Sequence, residues 1–289
     1  MKTAITKGHK DFVENLTSAG RSTSTILAYS KDLQQLTKHL FDKGVTAVEE
    51  ITPEHLVDFI KELSDAGKLT QKSVSRKINS IKSFFNYLTT IEAVQTNPAQ
   101  VLTHPKLEAK EPKILSTLEY MALREVSRRD IKLYTMVEML LQTGIRISEL
   151  SGLELGHLDL GEQATLFIPK RESQKERVIP LNKRVKEQIQ QFVTEKKVAD
   201  GFLFSTKSGN QILIRNIRAT MERLFKRAGL KGVSVNDLRH TFIAYQLEKG
   251  VSLQTVSRVA GHKTPATTQK YLKYLKLEKP GSKETLEEL

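Results

Sequence analysis

Four side chains in the second half of this chain, together with a lysine, have the chemistry to open a phosphodiester. Arg146 stands in TGIRISEL, Arg239 in NDLRHTF, His262 in Gly-His, and Tyr271 nine positions further on. Guanidinium forks pair bidentately with non-bridging phosphate oxygens. They stabilise the charge that grows as phosphorus becomes five-coordinate. A tyrosine can attack as a covalent nucleophile, and a lysine can protonate the leaving oxygen. Taken singly, each residue has a plainer reading. Arg146 would be a surface or ion-pair residue with Glu149, one turn on, as its partner. His262 would be a structural histidine and Tyr271 a half-buried aromatic. Arg239 stands out because it sits between Leu238 and His240, close to Phe242. An arginine among apolar neighbours needs an anionic partner. Order and spacing together, rather than any one residue, carry the phosphodiester reading.

Other chemistries lack their residues. There is no GxxxxGK[ST] loop for nucleoside triphosphates, no HExxH, no GxSxG and no Asp/Glu cluster at metal spacing. Seven scattered histidines and no cysteines leave neither a thiolate metal site nor a disulfide. The chain carries a net charge of +13, which favours a polyanionic partner, most simply nucleic acid. The charge is uneven. Residues 1–112 hold 15 Lys and Arg against 13 Asp and Glu, and residues 113–289 hold 31 against 20. The excess therefore lies with the candidate chemistry. Apolar runs fall far short of the roughly 18 residues of a membrane span. No signal-peptide pattern opens the chain, so the cytoplasm is the expected compartment.

The elements that must position these residues are mostly helical. A short helix is expected over 9–19, ending near Gly20. A second begins at Ser22 or Ser24, with Ile26, Tyr29, Leu33, Leu36 and Leu40 on one face, and stops at Gly44. Thr52 and Pro53 open a third, which ends at Gly67. A fourth starts at Thr70 with Val74, Ile78, Ile81, Phe84, Phe85 and Leu88 as its stripe. Four helices with short joints read as a small bundle. Lys72, Arg76, Lys77 and Lys82 are read as lying off that stripe, on a basic face suited to DNA. Three prolines in 97–113 mark a linker. Ser116 and Glu119 then form a capping box. An apolar helix over 133–142 stops at Gly144, and 145–153 starts another turn or two. Residues 165–169 and 177–181 read as a hairpin with a charged tip, KRESQKE. Helices are expected at about 183–195, 214–228, 237–249, 252–260 and 265–276.

These boxes resemble those of the tyrosine recombinases, the phage integrase family. TGIRISEL with Gly152 and Leu153 looks like the first arginine box, and KERVIPL, residues 175–181, like the end of the family's β-hairpin. DLRHTF, residues 237–242, looks like the second box; Gly261, His262 and Tyr271 look like the closing histidine and nucleophile. The resemblance covers about residues 115–275 by motif, and the helical first part by architecture. It implies that Arg146 and Arg239 clamp the scissile phosphate and that His262 hydrogen-bonds it. Tyr271 would attack it, leaving a 3′-phosphotyrosyl bond and a free 5′-hydroxyl. Tyr274 is the rival nucleophile, at a spacing from His262 that does not fit. The general acid would be the hairpin lysine, placed at Lys170 with Lys175 as rival; Lys175 and Arg177 are also expected to contact DNA. The second box departs at Asn236, where the family has His. Asparagine can still donate to a phosphate oxygen but cannot shuttle a proton near neutral pH.

The fold class expected is mainly α (α+β). An N-terminal helical core-binding bundle (1–100) and a linker (101–113) precede a mostly helical catalytic domain with a small antiparallel sheet (114–275), and a tail (276–289) follows. The tail is read as a docking segment for a neighbouring protomer, with Thr285–Leu289 as a short helix; docking in cis and a disordered end are the alternatives. The function implied is site-specific DNA recombination of the Xer-like, simple kind, without metal, ATP or other cofactor. The partners implied are duplex DNA with short inverted repeats, further copies in a tetrameric synapse, and accessory proteins, in the nucleoid. Rival readings are a catalytically silent DNA-binding protein of this fold and a type IB topoisomerase-like relaxing enzyme.

Overall fold

Local sequence chemistry sets the helix ends in the first half. In the computed structural model, which describes residues 2–65, 67, 69–107, 111–171, 174–275, 277 and 280–289, the chain divides into two compact units, 1–109 and 110–289. The first contains α1 (Ile5–Ser18), α2 (Thr23–Asp42), α3 (Pro53–Asp65) and α4 (Gln71–Thr90). Ser22 Oγ accepts the Thr25 amide at 3.1 Å and Thr70 Oγ1 the Ser73 amide at 3.3 Å, so both hydroxyls close orphan amides at a helix start. Phe12, Leu36, Leu40, Leu56, Ile78, Phe84 and Phe85 fill the bundle core.

The first stretch of the expected linker belongs to this bundle. Residues Pro98–Val101 form a 3-10 turn, Ala99 and Leu102 are buried in the bundle core, and His104 Nδ1 lies 3.0 Å from Ser75 Oγ. Of the expected linker, residues 108–110 lie outside the described residues; so do 172 and 173 of the hairpin tip and 276, 278 and 279 of the tail.

The second unit is built on α5 (Thr117–Ser127), α6 (Ile131–Thr143), the short α7 (Ile147–Ser151), α8 (Lys183–Lys196), α9 (Ile214–Arg227), α10 (Val235–Glu248), α11 (Leu253–Ala260) and α12 (Pro265–Tyr274). Three antiparallel strands, β1 (Leu158–Asp159), β2 (Thr165–Ile168) and β3 (Arg177–Pro180), form one sheet in the order β1-β2-β3. The two-residue β1 is too short to leave a period in the sequence. In the β2–β3 ladder Leu166 faces Ile179 and Ile168 faces Arg177, so the alternation that buries Ile179 also turns Arg177 inward. α6 runs through the core: Val137, Met139, Leu140 and Leu141 are buried, and α10 packs on it with Leu238, Phe242 and Ile243. Among the described residues no helix is long and apolar enough to cross a membrane.

The helix expected at the end of the tail is not formed. Thr285–Leu289 forms no helix, and the segment lies on its own unit. Lys283 pairs in backbone with Gly250 and Ser252, and Tyr245 Oη donates to the Glu288 carbonyl at 2.6 Å. Gln246 brackets Glu287 through its amide oxygen and nitrogen, and Leu289 is buried against α6. Backbone–side-chain bonds of this kind satisfy an irregular segment as well as a helix would.

Candidate active site

The site is assembled at the C-terminal end of α11. The last carbonyls of a helix lack intrahelical partners and carry the negative end of its dipole. Here three arginines take up three consecutive carbonyls. Arg177 Nε donates to Val259 O at 2.7 Å, Arg239 Nη2 to Ala260 O at 2.6 Å, and Arg146 Nη2 to Gly261 O at 2.8 Å. Arg146 Nη1 also reaches Ala260 O at 3.4 Å.

Each arginine comes from a different element. Gly144 ends α6 in the left-handed region, φ 60°, where a Cβ would stand 2.3 Å from a Phe242 ring carbon. The glycine thus sends the chain from α6 directly into Arg146 at the start of α7, and its own carbonyl accepts from Arg239 Nη1. Arg239 is carried by α10 and is 5% exposed. Gly261, also left-handed at φ 65°, ends α11; a Cβ there would stand 2.9 Å from the Arg177 guanidinium. Gly144 and Gly261 are therefore required by conformation and by close approach.

Glu149 locks this cluster. Its two oxygens take Arg177 Nη1 and Nη2 at 2.8 Å each, in a fork-to-fork pair. It also accepts from the Arg146 backbone at 2.7 Å and from Arg146 Nη1 at 3.2 Å. Sequence spacing points to Glu149 as partner of Arg146, and that contact is present, but the stronger pairing is with Arg177. Arg177 is 7% exposed and wholly engaged, so the expected DNA contact at Arg177 is corrected: it is an internal strut. Despite burial, which acts the other way, the arginine hydrogen bonds and charges hold the Glu149 carboxyl below its ordinary value.

Arg239 feels the opposite balance. Burial, then the charge of Arg146, pull its guanidinium from 12.5 down to about 9. His262 follows Gly261, half-buried, with Nδ1 2.7 Å from Thr268 Oγ1 of α12. Burial and the positive charges of Arg239 and Arg146 press it to about 4, so its imidazole is neutral near pH 7. Tyr271, on α12, is 6% exposed. Burial pushes its phenol up to about 12, against the lowering pull of Arg239. Its Oη is hydrogen-bonded to His240 Nδ1, and His240 Nε2 lies 2.7 Å from the Asn236 side-chain amide. Tyr274 stacks edge-on against Tyr271, ring centroids 6.3 Å apart.

The hairpin reaches the same place. Gln174 Oε1 accepts from Arg146 Nη1 at 3.2 Å, and Arg171 ties the other limb to the Ser148 and Gly152 carbonyls of the α7 region. Lys170 and Lys175 flank these anchors, both exposed, and neither has a partner among the described residues. An open pocket of about 510 Å³ beside the arginines is lined by Arg146, Arg239, Asn236, Arg218 and Glu222. No group of three His, Asp or Glu spaced to hold a metal ion occurs among the described residues.

The sequence pattern of the Phage integrase family matches residues 108–278, and that of its N-terminal SAM-like domain matches residues 10–91. A tyrosine recombinase of Pseudothermotoga lettingae is 31% identical over 265 residues, spanning 89% of this chain and 90% of its own. The chain belongs to the phage integrase family, the tyrosine recombinases. The tyrosine recombinase XerC of Thermodesulfovibrio yellowstonii is 30% identical over 266 residues, covering 87% and 86% of the two chains. Among solved structures, the Tn1549 transposon integrase in complex with transposon right end DNA shares the fold at a TM-score of 0.77. It is 17% identical and covers 94% of both chains. A crystal structure of XerA recombinase is 25% identical with a TM-score of 0.53, covering 92% of this chain and 93% of that one.

In this tyrosine recombinase the residues expected from sequence fall into two sets. Arg146 and Arg239 meet on the Ala260 carbonyl, Asn236 and Tyr271 are linked through His240, and His262 follows the Gly261 whose carbonyl takes Arg146, with Lys170 and Lys175 on the hairpin. The basic face expected on α4 holds only in part. Lys72 is exposed and Lys82 partly so. Lys77 is 3% exposed, with Nζ 2.8 Å from Asp32 Oδ1, and Arg76 pairs with the other oxygen of Asp32. Lys77 is corrected from a DNA contact to a buried ion-pair member, three residues after Val74 and four before Ile81, inside the apolar stripe. Sequence reading missed His240, Arg218 and Gln174. His240 stands inside the second box, but nothing in its spacing announces that it faces a tyrosine 31 residues away.

Proposed function

We propose that this recombinase cuts and rejoins duplex DNA at a specific site through a 3′-phosphotyrosyl intermediate, with Tyr271 as nucleophile. Arg146 and Arg239 grip the scissile phosphate, and neutral His262 donates one hydrogen bond to it. The observation that carries the reading is the convergence of Arg146 and Arg239 on the Ala260 and Gly261 carbonyls. Buried Arg239 is held on neutral carbonyl oxygens, and Arg146 has only a share of Glu149, whose fork goes to Arg177, beside an open pocket. A phosphate entering there supplies full charge where carbonyls supply partial charge, and it stabilises both. Tyr271 in the protonated state keeps the nucleophile silent until the substrate arrives.

The leaving 5′-oxygen takes its proton from Lys170 or Lys175. Both flank residues bonded to the arginine cluster region, so either can swing over the phosphate. The DNA substrate carries paired inverted sites, and four copies exchange strands in two rounds through a Holliday junction. Lys72, exposed on α4, and Lys82, partly exposed, add phosphate contacts.

The test is covalent trapping. The purified chain is incubated in EDTA with nicked duplexes tiled across the DNA flanking its gene, and SDS-stable adducts are read on a denaturing gel. An adduct is expected from the parent and none from Tyr271→Phe, while Tyr274→Phe retains it. Lys170→Ala and Lys175→Ala are compared on ordinary duplexes and on duplexes with sulfur as the bridging 5′ atom, which leaves without a proton. The variant rescued by sulfur has lost the acid. DNA retardation with no adduct from the parent would overturn the catalytic reading in favour of a silent binder.

A further inference from the structure

Tyr271 is buried, protonated and hydrogen-bonded to a single side chain, His240. The sequence box that supplies Arg239 places Asn236, which cannot take a proton, one turn before His240 on the same face of α10. The two residues four apart are bonded, and their line ends on the reacting oxygen: Asn236 amide, His240 Nε2, His240 Nδ1, Tyr271 Oη.

We propose that His240 is the general base that activates Tyr271, and that Asn236 sets the tautomer in which it can act. This rests on the reading of Tyr271 as the nucleophile.

The tautomer decides the chemistry. If the Asn236 NH2 faces Nε2, that nitrogen accepts, the ring hydrogen sits on Nδ1, and His240 can only donate to the phenol. With the amide turned over, its oxygen accepts Nε2–H. Nδ1 is then bare and accepts the phenol hydrogen. The two amide orientations occupy the same space, and the hydrogen-bond network selects between them. A protonated phenol must donate its hydrogen somewhere, and Nδ1 is its only partner among the described residues. That requirement favours the second orientation.

The surroundings keep His240 neutral and therefore basic in form. It is faced by Asn236, Asp237 and Arg239 from its own helix, by Tyr271 of α12, and by His262 beyond the end of α11. Burial lowers its pKa, Asp237 raises it and Arg239 lowers it again, with a net lowering. His262 is not hydrogen-bonded to the phenol: among the described residues its side chain bonds Thr268, and Tyr271 Oη bonds His240. With a phenol near 12 and an imidazole below 6.5, no proton moves in the resting enzyme. It moves only as the phenol oxygen gains phosphorus and its acidity rises, which is general base catalysis in the transition state.

The step balances. Tyr271 Oη bonds to phosphorus as its proton passes to His240 Nδ1. The bond from phosphorus to the 5′-oxygen breaks, and that oxygen leaves with the proton of the hairpin lysine. In the reverse step an incoming 5′-hydroxyl attacks the phosphotyrosine as its proton passes to the now neutral hairpin lysine, the bond from phosphorus to Tyr271 Oη breaks, and His240 returns its proton to the departing phenolate.

Two measurements on the full chain test this. In the first, nitrogen-15 NMR of labelled histidine reads the tautomer of the free protein. His240 is expected to carry its hydrogen on Nε2 in the parent and to lose that bias in Asn236→Ala. A parent with the hydrogen on Nδ1 overturns the proposal. In the second, adduct formation on a nicked duplex is timed for His240→Ala and His240→Gln. Rates are expected to fall about 10²–10⁴-fold, with unfolding midpoints and gel-shift affinity close to the parent's. Added imidazole is expected to restore part of the His240→Ala rate only. A His240→Ala rate within threefold of the parent overturns the proposal alone. A parent that forms no adduct overturns the recombinase reading of the site, and this proposal with it.

Discussion

Arg146 and Arg239 donate to the same oxygen, the carbonyl of Ala260, at 3.4 and 2.6 Å. Burial of Arg239 is costly and the like charge of Arg146 adds to it, which is why its guanidinium is pulled down to about 9. The arrangement persists because α11 aims its partial negative end at both. The two arginines differ in what else they do. Arg239 also donates to the Gly144 carbonyl in the turn after α6, whereas Arg146 keeps about a quarter of its side chain exposed. Lysine at either position replaces a planar fork by a point charge. Arg146→Lys and Arg239→Lys are each expected to slow adduct formation about 10²–10³-fold, read in single turnover. Only Arg239→Lys should also lower the thermal midpoint clearly. Equal midpoints for the two variants would show that Arg239 is no structural tie.

Glu149 carries more of the site than its short-range spacing to Arg146 suggests. Replacing it by Gln leaves the buried Arg177 without its carboxylate while keeping volume and shape. Breaking one side of a buried pair destabilises by about 3–5 kcal/mol. Urea unfolding of Glu149→Gln is expected to show a loss of that order, with adduct formation lost at temperatures where the parent works. A loss below about 1 kcal/mol would mean that water reaches Arg177 and that the pair is not sealed.

Helix ends were the easiest thing to read in this sequence, because Ser22, Thr70 and Ser116 cap within three residues of themselves and Gly144 and Gly261 stop by local conformation. The site's membership was legible through boxes that each sit on one element. What joins the boxes was not. The carbonyls that receive Arg146 belong to residues 114 and 115 positions away, and backbone oxygens carry no sequence signature. Two errors were avoidable. Arg177 is two residues from Ile179 on a strand, hence on the same face. Lys77 sits at helical spacing from Val74 and Ile81. In both, periodicity outweighs charge, because a partner carboxylate brings the charged group inside.

The correction on α4 separates two lysines five residues apart. Lys72 is exposed, and Lys77 is spent on Asp32 and Gln35. A phosphate contact releases about one counterion, so its loss reduces the salt slope of DNA affinity by about 1. Lys72→Ala is expected to do that without changing stability. Lys77→Met should leave the slope unchanged and shift unfolding instead. A slope reduced by Lys77→Met as much as by Lys72→Ala would return Lys77 to the DNA face.

Gly261 makes a sharper demand than an ordinary helix stop. Its left-handed backbone disfavours any side chain, and the space a Cβ needs is filled by the Arg177 guanidinium at 2.9 Å. Gly261→Ala is expected to displace Arg177 from Val259 O and with it Glu149, so that adduct formation falls at least tenfold. Gly250, also left-handed but with open space around it, serves as the control. Gly250→Ala should cost only the backbone strain of about 1 kcal/mol. Matching effects at the two glycines would remove the packing argument.

His262 gives the fold a pH dependence of defined sign. Its ordinary value is 6.5, and in the folded chain burial and the positive charges of Arg239 and Arg146 depress it to about 4. Between those two values the unfolded chain binds a proton that the folded chain does not. Stability therefore rises with pH across that window: it is full above 6.5 and is lost as pH falls through about 4. His240, lowered in the same direction, adds to the slope. Carboxylates held low, such as Glu149, add theirs at lower pH. Thermal midpoints measured from pH 7 to pH 4 are expected to fall for the parent. The fall should be shallower for His262→Asn, which keeps a polar contact for Thr268 but cannot titrate. Added inorganic phosphate should flatten the parent's slope too, because an anion between Arg146 and Arg239 offsets the charges that depress His262. An identical slope in parent and His262→Asn would place the titration elsewhere and remove the arginines' hold on His262.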